Sequence, residues 1–398
     1  DVTDLSGGIE KYLLGIGVKQ NDLNKIKALL LGLPEDKTDH MAKETGCEQG
    51  GVKVYKFKNG EKFTVQTDAL GHKFNIENGV AECENCSLSG ELKELNADAS
   101  KNFDLNGAIS LSGASITDIF GNTVVSSIKF KAETCGTTII YIAKSHGKNV
   151  IAKVNVWSKI IKDQSDLLAA NDVTIENTIK KTVCAYYLID NDIALTAEWA
   201  IENSIGYNSK GYKFVGKICG NGHTVSGLKT QSGAALVYDF NGEISDIKLK
   251  GEAVNDNSQF LCAATSGGII KNAKIEVLLG EKPLETSASA LLGDIGEQGE
   301  IDNIYIENVT IIETSAADKQ VNRNRSSALG KLYNEANKSK IFINGLTIVG
   351  IRPILVTASG SQFAGEETIK AFFGKEYTAN VNNLKVYKSI ANYNSANA

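Results

Sequence analysis

Proline is nearly missing from this chain: three residues in 398. The turns must therefore come from elsewhere, and glycine, at 38, supplies many of them. Aromatic residues are few, at 7%. No apolar stretch approaches the length of a membrane-crossing helix; the longest unbroken one, Val183 to Ile189, has the length of a strand. A basic surplus is also lacking. The net charge is −5 and the pI near 5.6, which argues against nucleic acid as a main partner, because phosphate binding needs a concentrated basic surface. One short basic cluster, Lys319 to Arg325 with Arg323 between them, reads as a solvated loop.

What remains is rich in Val, Ile, Thr, Asn and Gly, the composition of strands joined by tight turns. The length suggests two or three domains, each able to bury a core. The first residue is Asp1 rather than Met, as expected of a processed product or a fragment.

Residues 1–48 read as a helical segment. Asn21 to Leu31 is the better helix, with Asn21 or Asp22 as cap. Leu23, Ile26, Leu29 and Leu30 lie on one face, and Gly32 and Pro34 follow the end. That apolar face needs a partner surface, either the adjacent domain or a neighbouring subunit. From Val52 the period becomes two. Lys58-Asn59-Gly60-Glu61 marks a hairpin. Ile109 to Ile116, Val124 to Phe130, Thr138 to Ile142 and Val150 to Trp157 continue as strands, with turns at Gly121-Asn122, Gly136 and Gly147-Lys148. An antiparallel sandwich over 49–160 is the expectation. Asp163 to Leu168 reads as a capped helical turn.

The seven cysteines are odd in number, so at least one is unpaired within the chain. Cys83-Glu84-Asn85-Cys86 could join Cys47 and Cys135 in a zinc site. The same four could form disulfides or stay as thiols. Cys184, Cys219 and Cys262 read as small buried side chains. His40, His72 and His146 fall in expected loops or surface strands.

From 161 to 398 the chain repeats itself. The bend apolar-x-Asn/Asp/Gly-apolar-x-apolar is read at Val225 to Thr230, Ile244 to Leu249, Ile270 to Ile275, Ile301 to Ile306, Phe342 to Ile348 and Val381 to Val386. An apolar residue enters the core, and Asn, Asp or Gly then turns the chain through the left-handed region. An apolar segment precedes each copy, from Phe214-Val215-Gly216 to Ala371-Phe372-Phe373-Gly374. The unequal intervals suit a right-handed parallel β-solenoid whose loops differ between rungs.

Two resemblances follow. Ala132 to Ile142, with Gly147-Lys148 and Lys153 to Val156, resembles the end of a bacterial immunoglobulin-like (Big) domain, which implies a spacer or adhesive module on a cell surface. Tyr187 to Leu195, then Phe214 to Leu228 with Gly220-Asn221-Gly222-His223-Thr224, resembles bacterial surface β-helix proteins with GLUG-type repeats and pectate-lyase-like folds. That resemblance covers about residues 165–390. Cys219 stands where the family usually has Asp, which weakens the idea of a cation at this turn.

Asp190 and Asp192 are the best acidic pair, and His223 the best candidate base. Each is read first as a corner residue, so no catalytic, cofactor-binding or metal-binding residue is assigned. The expected protein is mainly β and non-enzymatic: an extracellular structural or adhesive surface protein, with a filament or surface-layer subunit as a subclass. Self-association through the N-terminal helix, or surface glycan and protein ligands, would be its partners. The loops Leu279 to Leu291 and Thr314 to Ser327 would be contact surfaces. A polysaccharide lyase or hydrolase on the same fold, and a phage tail or capsid-associated protein, are the alternatives.

Overall fold

The structure is a computed structural model that describes residues 2–253, 258–279, 288–296, 299–314, 326–351, 354–355, 380–387 and 389–397. The chain is mainly β and divides into two compact units. The first comprises Asp1–Asn96, Phe103–Ile128 and Thr138–Asn155. The second comprises Ala97–Asn102, Lys129–Thr137 and Val156–Ala398. The basic cluster 319–325, most of the two loops expected to make contacts, and Ala371 to Gly374 lie outside the described residues.

In the first unit, α1 (Val2–Gly15) and α2 (Gln20–Leu31) come first. Gly32 closes α2 in the left-handed conformation, as its position after the apolar stripe implies. The expected Asn21 or Asp22 cap is not used: Lys19 is the N-cap. Asn21 is diverted to the edge of a strand. Its amide donates to Gln66 O at 3.1 Å and accepts from Gln66 N at 2.7 Å. An Asn side chain thus stands in for a strand partner at an otherwise open edge. Of the predicted apolar face only Leu23 is buried; Leu29 and Leu30 are 81% and 80% exposed.

The strands that follow are β1 (Val52–Lys56), β2 (Lys62–Gln66), β3 (Phe74–Glu77), β4 (Val80–Cys83), β5 (Ser89–Asp98) and β6 (Phe103–Asp104). After α3 (Leu105–Ile109) come β7 (Ser115–Asp118), β8 (Ser127–Ile128), β9 (Thr138–Ser145) and β10 (Lys148–Trp157). The Asn59-Gly60 hairpin forms as read, with Lys56 opposite Lys62. His146 and Gly147 both take positive φ, 48° and 75°, and close the two-residue hairpin of β9 and β10. One six-stranded sheet runs β3-β4-β5-β10-β9-β7, and β1-β2 and β6-β8 are separate pairs. The expected strand from Ile109 to Ile116 is corrected. Asp104 caps a helical turn there by accepting from Gly107 N at 3.1 Å, and extended structure begins at Ser115.

The second unit is built of parallel rungs. Lys159–Ile161, Tyr186–Ile189, Lys217–Cys219, Glu243–Ser245 and Gly268–Lys271 pair in succession, then join Ile304–Glu313, Ile341–Val349 and Val381–Tyr387. Beyond one corner, Ile193–Ala194, Thr224–Lys229, Lys248–Ala253 and Lys274–Leu279 stack in the same order. A further sheet carries Thr182–Cys184, Lys213–Phe214, Val237–Phe240 and Cys262–Thr265. The inward side chains form one core in which Phe214, Ile218, Leu236, Ile244, Phe260 and Ile270 are among the buried residues. Trp199 is buried too, with its indole N–H donating to Ala235 O at 2.9 Å. Asp163 caps Gln164–Leu168 as expected, accepting from Asp166 N at 2.9 Å.

The corner column is where register matters. Asn221, Asp246, Asn272, Asn308 and Asn383 have φ of 50°, 55°, 52°, 51° and 51°, and Gly345 has 82°. Two of the six predicted bends are displaced from it. Ile306-Glu307, not Ile301-Asp302, lies opposite Ile270-Lys271, so Asn308 rather than Asn303 makes the fourth corner. Gly227 sits in an irregularity within Thr224–Lys229, and Asn221 turns that rung. The side chains bond along the stack: Asn272 Nδ2 donates to Asp246 Oδ1 at 2.9 Å, and Asn383 Nδ2 to Asn344 Oδ1 at 3.0 Å. Asn272→Ala should lose about 1–2 kcal/mol for the left-handed backbone plus the ladder bond. Asn272→Gly should lose only the bond. Urea unfolding that ranks Gly at or below Ala would refute this account of the corner.

Candidate functional site

Four side chains of the first unit converge. Cys47 sits in a loop ahead of β1, closed by reciprocal bonds between Lys43 and Val52, each 2.9 Å. Gly50 and Gly51 allow that loop to lie close to its neighbours: a Cβ at Gly50 would come within 2.3 Å of Thr67 O. The loop then holds the next segment, since Leu70 N donates to Gly46 O and Gly71 N to Cys47 O. This places His72 beside it. Cys83 ends β4, and its amide donates to Leu88 O at 2.8 Å, folding the intervening Cys86 back.

The donor atoms of Cys47, His72, Cys83 and Cys86 lie within 4.8 Å of one another. Cys47 Sγ is 3.8 Å from Cys83 Sγ. His72 Nδ1 is 3.4 Å from both Cys83 Sγ and Cys86 Sγ. On its other side, His72 Nε2 is 3.1 Å from Glu48 Oε1, and Lys144 Nζ donates to that same oxygen at 3.0 Å. These two contacts, Lys144 first, hold the Glu48 carboxyl below its ordinary range. Cys83 is pulled both ways: burial raises its thiol, and the Asn85 amide, His72, the Lys73 amide and Cys86 outweigh that and bring it down. Cys47 moves up, through burial and then its sulfur neighbours. The split follows because adjacent thiolates resist ionising together.

His72 lies in the loop that leads into β3, as expected for a loop histidine, but it is buried there, only 7% exposed. Cys135, the expected fourth member, belongs to the second unit's segment Lys129–Thr137, and His72 stands in the cluster instead. No metal ligand is assigned from the sequence, and four donor side chains lie together here. All seven cysteines are free thiols. Of the three expected in the core, Cys262 is fully buried, whereas Cys184 and Cys219 are half-buried.

In the second unit, His223 and Asp192 do meet. Asp192 Oδ1 accepts from Thr224 N at 2.8 Å and lies 3.3 Å from His223 Nδ1. The amide and then the imidazole hold the Asp192 carboxyl below its usual range. Asp190 instead faces Lys162, 3.7 Å away. Next to the corner column is a cavity of about 730 Å³, lined by Asn221, Asn272, Lys248, Lys274, Thr310 and Tyr393 among others. Tyr393 comes from the C-terminal helix Ile390–Ala396.

No family model matches this chain, and no curated protein matches it. A solved structure from Bacteroides ovatus, provisionally named an immunoglobulin A1 protease, is similar over 58% of this chain and 84% of its own, at 12% identity and a TM-score of 0.24. A likeness of that degree carries no argument about fold or activity.

Proposed function

We propose that this chain is a non-enzymatic structural or adhesive protein of a cell surface. In this reading the second unit is a right-handed parallel β-solenoid of the GLUG-type, pectate-lyase-like kind, and the antiparallel strands of the first form an immunoglobulin-like spacer. The observation that carries it is the use of the best acid–base pair. Asp192 and His223 come from successive rungs, and the carboxylate is engaged by the Thr224 amide. That is a latch between rungs, a structural task. The corner cavity adds to the reading. Amide side chains, a hydroxyl and the Tyr393 ring are suited to a surface glycan, amides to sugar hydroxyls and the ring to a sugar face.

Self-association is the second part of the proposal. Leu29 and Leu30 project from α2 almost fully exposed, and Ile26 and Leu31 beside them are exposed as well. An apolar cluster of this kind on a short helix gains by docking on a second copy. Negative-stain imaging of the full chain tests it. Ordered filaments or sheets that Leu29→Glu with Leu30→Glu disperses are the expected result. Monomers in both samples, together with turnover of pectin or alginate that His223→Ala abolishes, would overturn the proposal in favour of an enzyme.

A further inference from the structure

We propose that Cys47, His72, Cys83 and Cys86 bind one Zn²⁺ ion in a closed, tetrahedral, structural site. The spacing is the first argument. Zn–S bonds of about 2.3 Å and a Zn–N bond of about 2.0–2.1 Å at tetrahedral angles put sulfurs about 3.8 Å apart and sulfur and nitrogen about 3.6 Å apart. The chain places the Cys47 and Cys83 sulfurs 3.8 Å apart and the His72 nitrogen 3.4 Å from the Cys83 and Cys86 sulfurs, with all four donor atoms within 4.8 Å of one another. A disulfide would need sulfurs at about 2.0 Å, so these thiols are held at ligand spacing instead.

The donor types are the second argument. Three thiol sulfurs and one imidazole form a soft set without an oxygen ligand. This disfavours Ca²⁺ and Mg²⁺ and matches the Cys₃His composition of structural zinc sites. Four protein donors fill a tetrahedron, leaving no open position for water, so the site is a clamp rather than a hydrolytic centre.

The third argument lies one layer out. A histidine that ligates through Nδ1 must carry its proton on Nε2. Glu48 Oε1 stands 3.1 Å from Nε2 as the acceptor, and Lys144 fixes Glu48 in turn. A carboxylate behind a ligating imidazole sets both ring orientation and tautomer. The ligands come from three stretches: the Cys47 loop, the segment leading into β3, and the end of β4 with its turn. One ion would tie all three together. If the thiols are protonated beforehand, binding Zn²⁺ releases their three protons to solvent.

The full chain, purified under reducing conditions, tests this. Metal analysis should find about one zinc per chain, and Co²⁺ added to metal-free protein should give the visible bands and sulfur charge-transfer absorption of a tetrahedral thiolate site. His72→Ala and Cys86→Ser should abolish tight binding, while Cys135→Ser should retain it. Glu48→Ala keeps all four ligands, so it should fold and bind zinc about 10–100-fold more weakly in a chelator competition. Any one of three results would overturn the assignment: no zinc bound at micromolar concentrations, an octahedral Co²⁺ spectrum, or stoichiometric iron or copper in place of zinc. Because every readout concerns metal, failure here is distinct from failure of the surface-protein reading.

Discussion

Stripping zinc from the full chain with a tight chelator is expected to lower the melting temperature of the first unit by at least about 10 °C and to leave that of the second unchanged. Structural zinc ions contribute about 10–16 kcal/mol of apparent binding energy in small finger peptides, where folding and binding are one event. The first unit has some core of its own, so only part of that becomes lost stability. That core includes a cluster of Ala81, Ile142 and Ile151 against the main sheet, with Phe74, Leu88, Leu92 and Ile140 partly buried around it, and Leu105, Ile109 and Val154 are buried as well. A loss of several kcal/mol at about 2–4 °C per kcal/mol gives the stated shift. Chelation would also leave three thiols and an imidazole crowded together, with Cys47, His72 and Cys83 buried and without their shared partner. Calorimetry with and without chelator, and again after zinc is restored, is the measurement. An unmoved first transition in protein verified to be metal-free would show that the clamp does not hold the unit.

In the second unit the largest single-residue effect is expected at a glycine. Gly216, Gly242 and Gly268 lie one above another where each rung enters its corner-bearing strand. A Cβ on Gly242 would come within 2.2 Å of Gly216 O, one on Gly216 within 1.9 Å of Ala185 O, and one on Gly268 within 2.5 Å of Gly242 O. These carbonyls are also the acceptors that join the rungs, taking Glu243 N at 2.9 Å, Lys217 N at 2.9 Å and Ile269 N at 2.8 Å. A methyl group at Gly242 must therefore push apart two rungs at the point where they are bonded. Neither rung can yield alone, since each is stacked on the next. Gly242→Ala should cost about 3 kcal/mol or more, the upper end of what overpacking does. Gly211→Ala is the comparison. It has open space around it, so it bears only the cost of a left-handed alanine, about 1–2 kcal/mol. Denaturant unfolding that finds Gly242→Ala no worse than Gly211→Ala would mean the rungs are not stacked this closely.

Both predictions concern contacts that local pattern does not encode, and the same distinction runs through the chain. The Asn59-Gly60 hairpin, the Gly32 helix end and the Asp163 cap were legible because each depends on a few consecutive residues, and the turn read at Gly147-Lys148 falls one residue earlier, at His146-Gly147. The parallel rungs were legible in kind, because Asn, Asp and Gly after an apolar residue recur at every bend. Helix α3 was not: it is set by the Asp104 cap over Leu105–Ile109, ahead of the alternating pattern that begins at Ile109. The C-x-x-C pair drew attention to Cys83 and Cys86, yet nothing beside His72 marked it as their neighbour.

The sequence by itself determined the residues that can turn the chain, the alternation that makes strands, and the supply of soft ligands. Only the tertiary structure decided which of them are used together. Ile301-Asp302-Asn303-Ile304 and Ile306-Glu307-Asn308-Val309 fit one bend pattern equally well, and pairing along the whole of Ile304–Glu313 selects the second. A bend costs little to form at either place, whereas a register shift would displace a full strand of buried side chains. The cluster follows the same logic. Cys135 and His72 are both plausible partners for a C-x-x-C turn. The loop bonds from Gly46 and Cys47 to Leu70 and Gly71 bring His72 to it, through hydrogen bonds between residues far apart in the chain.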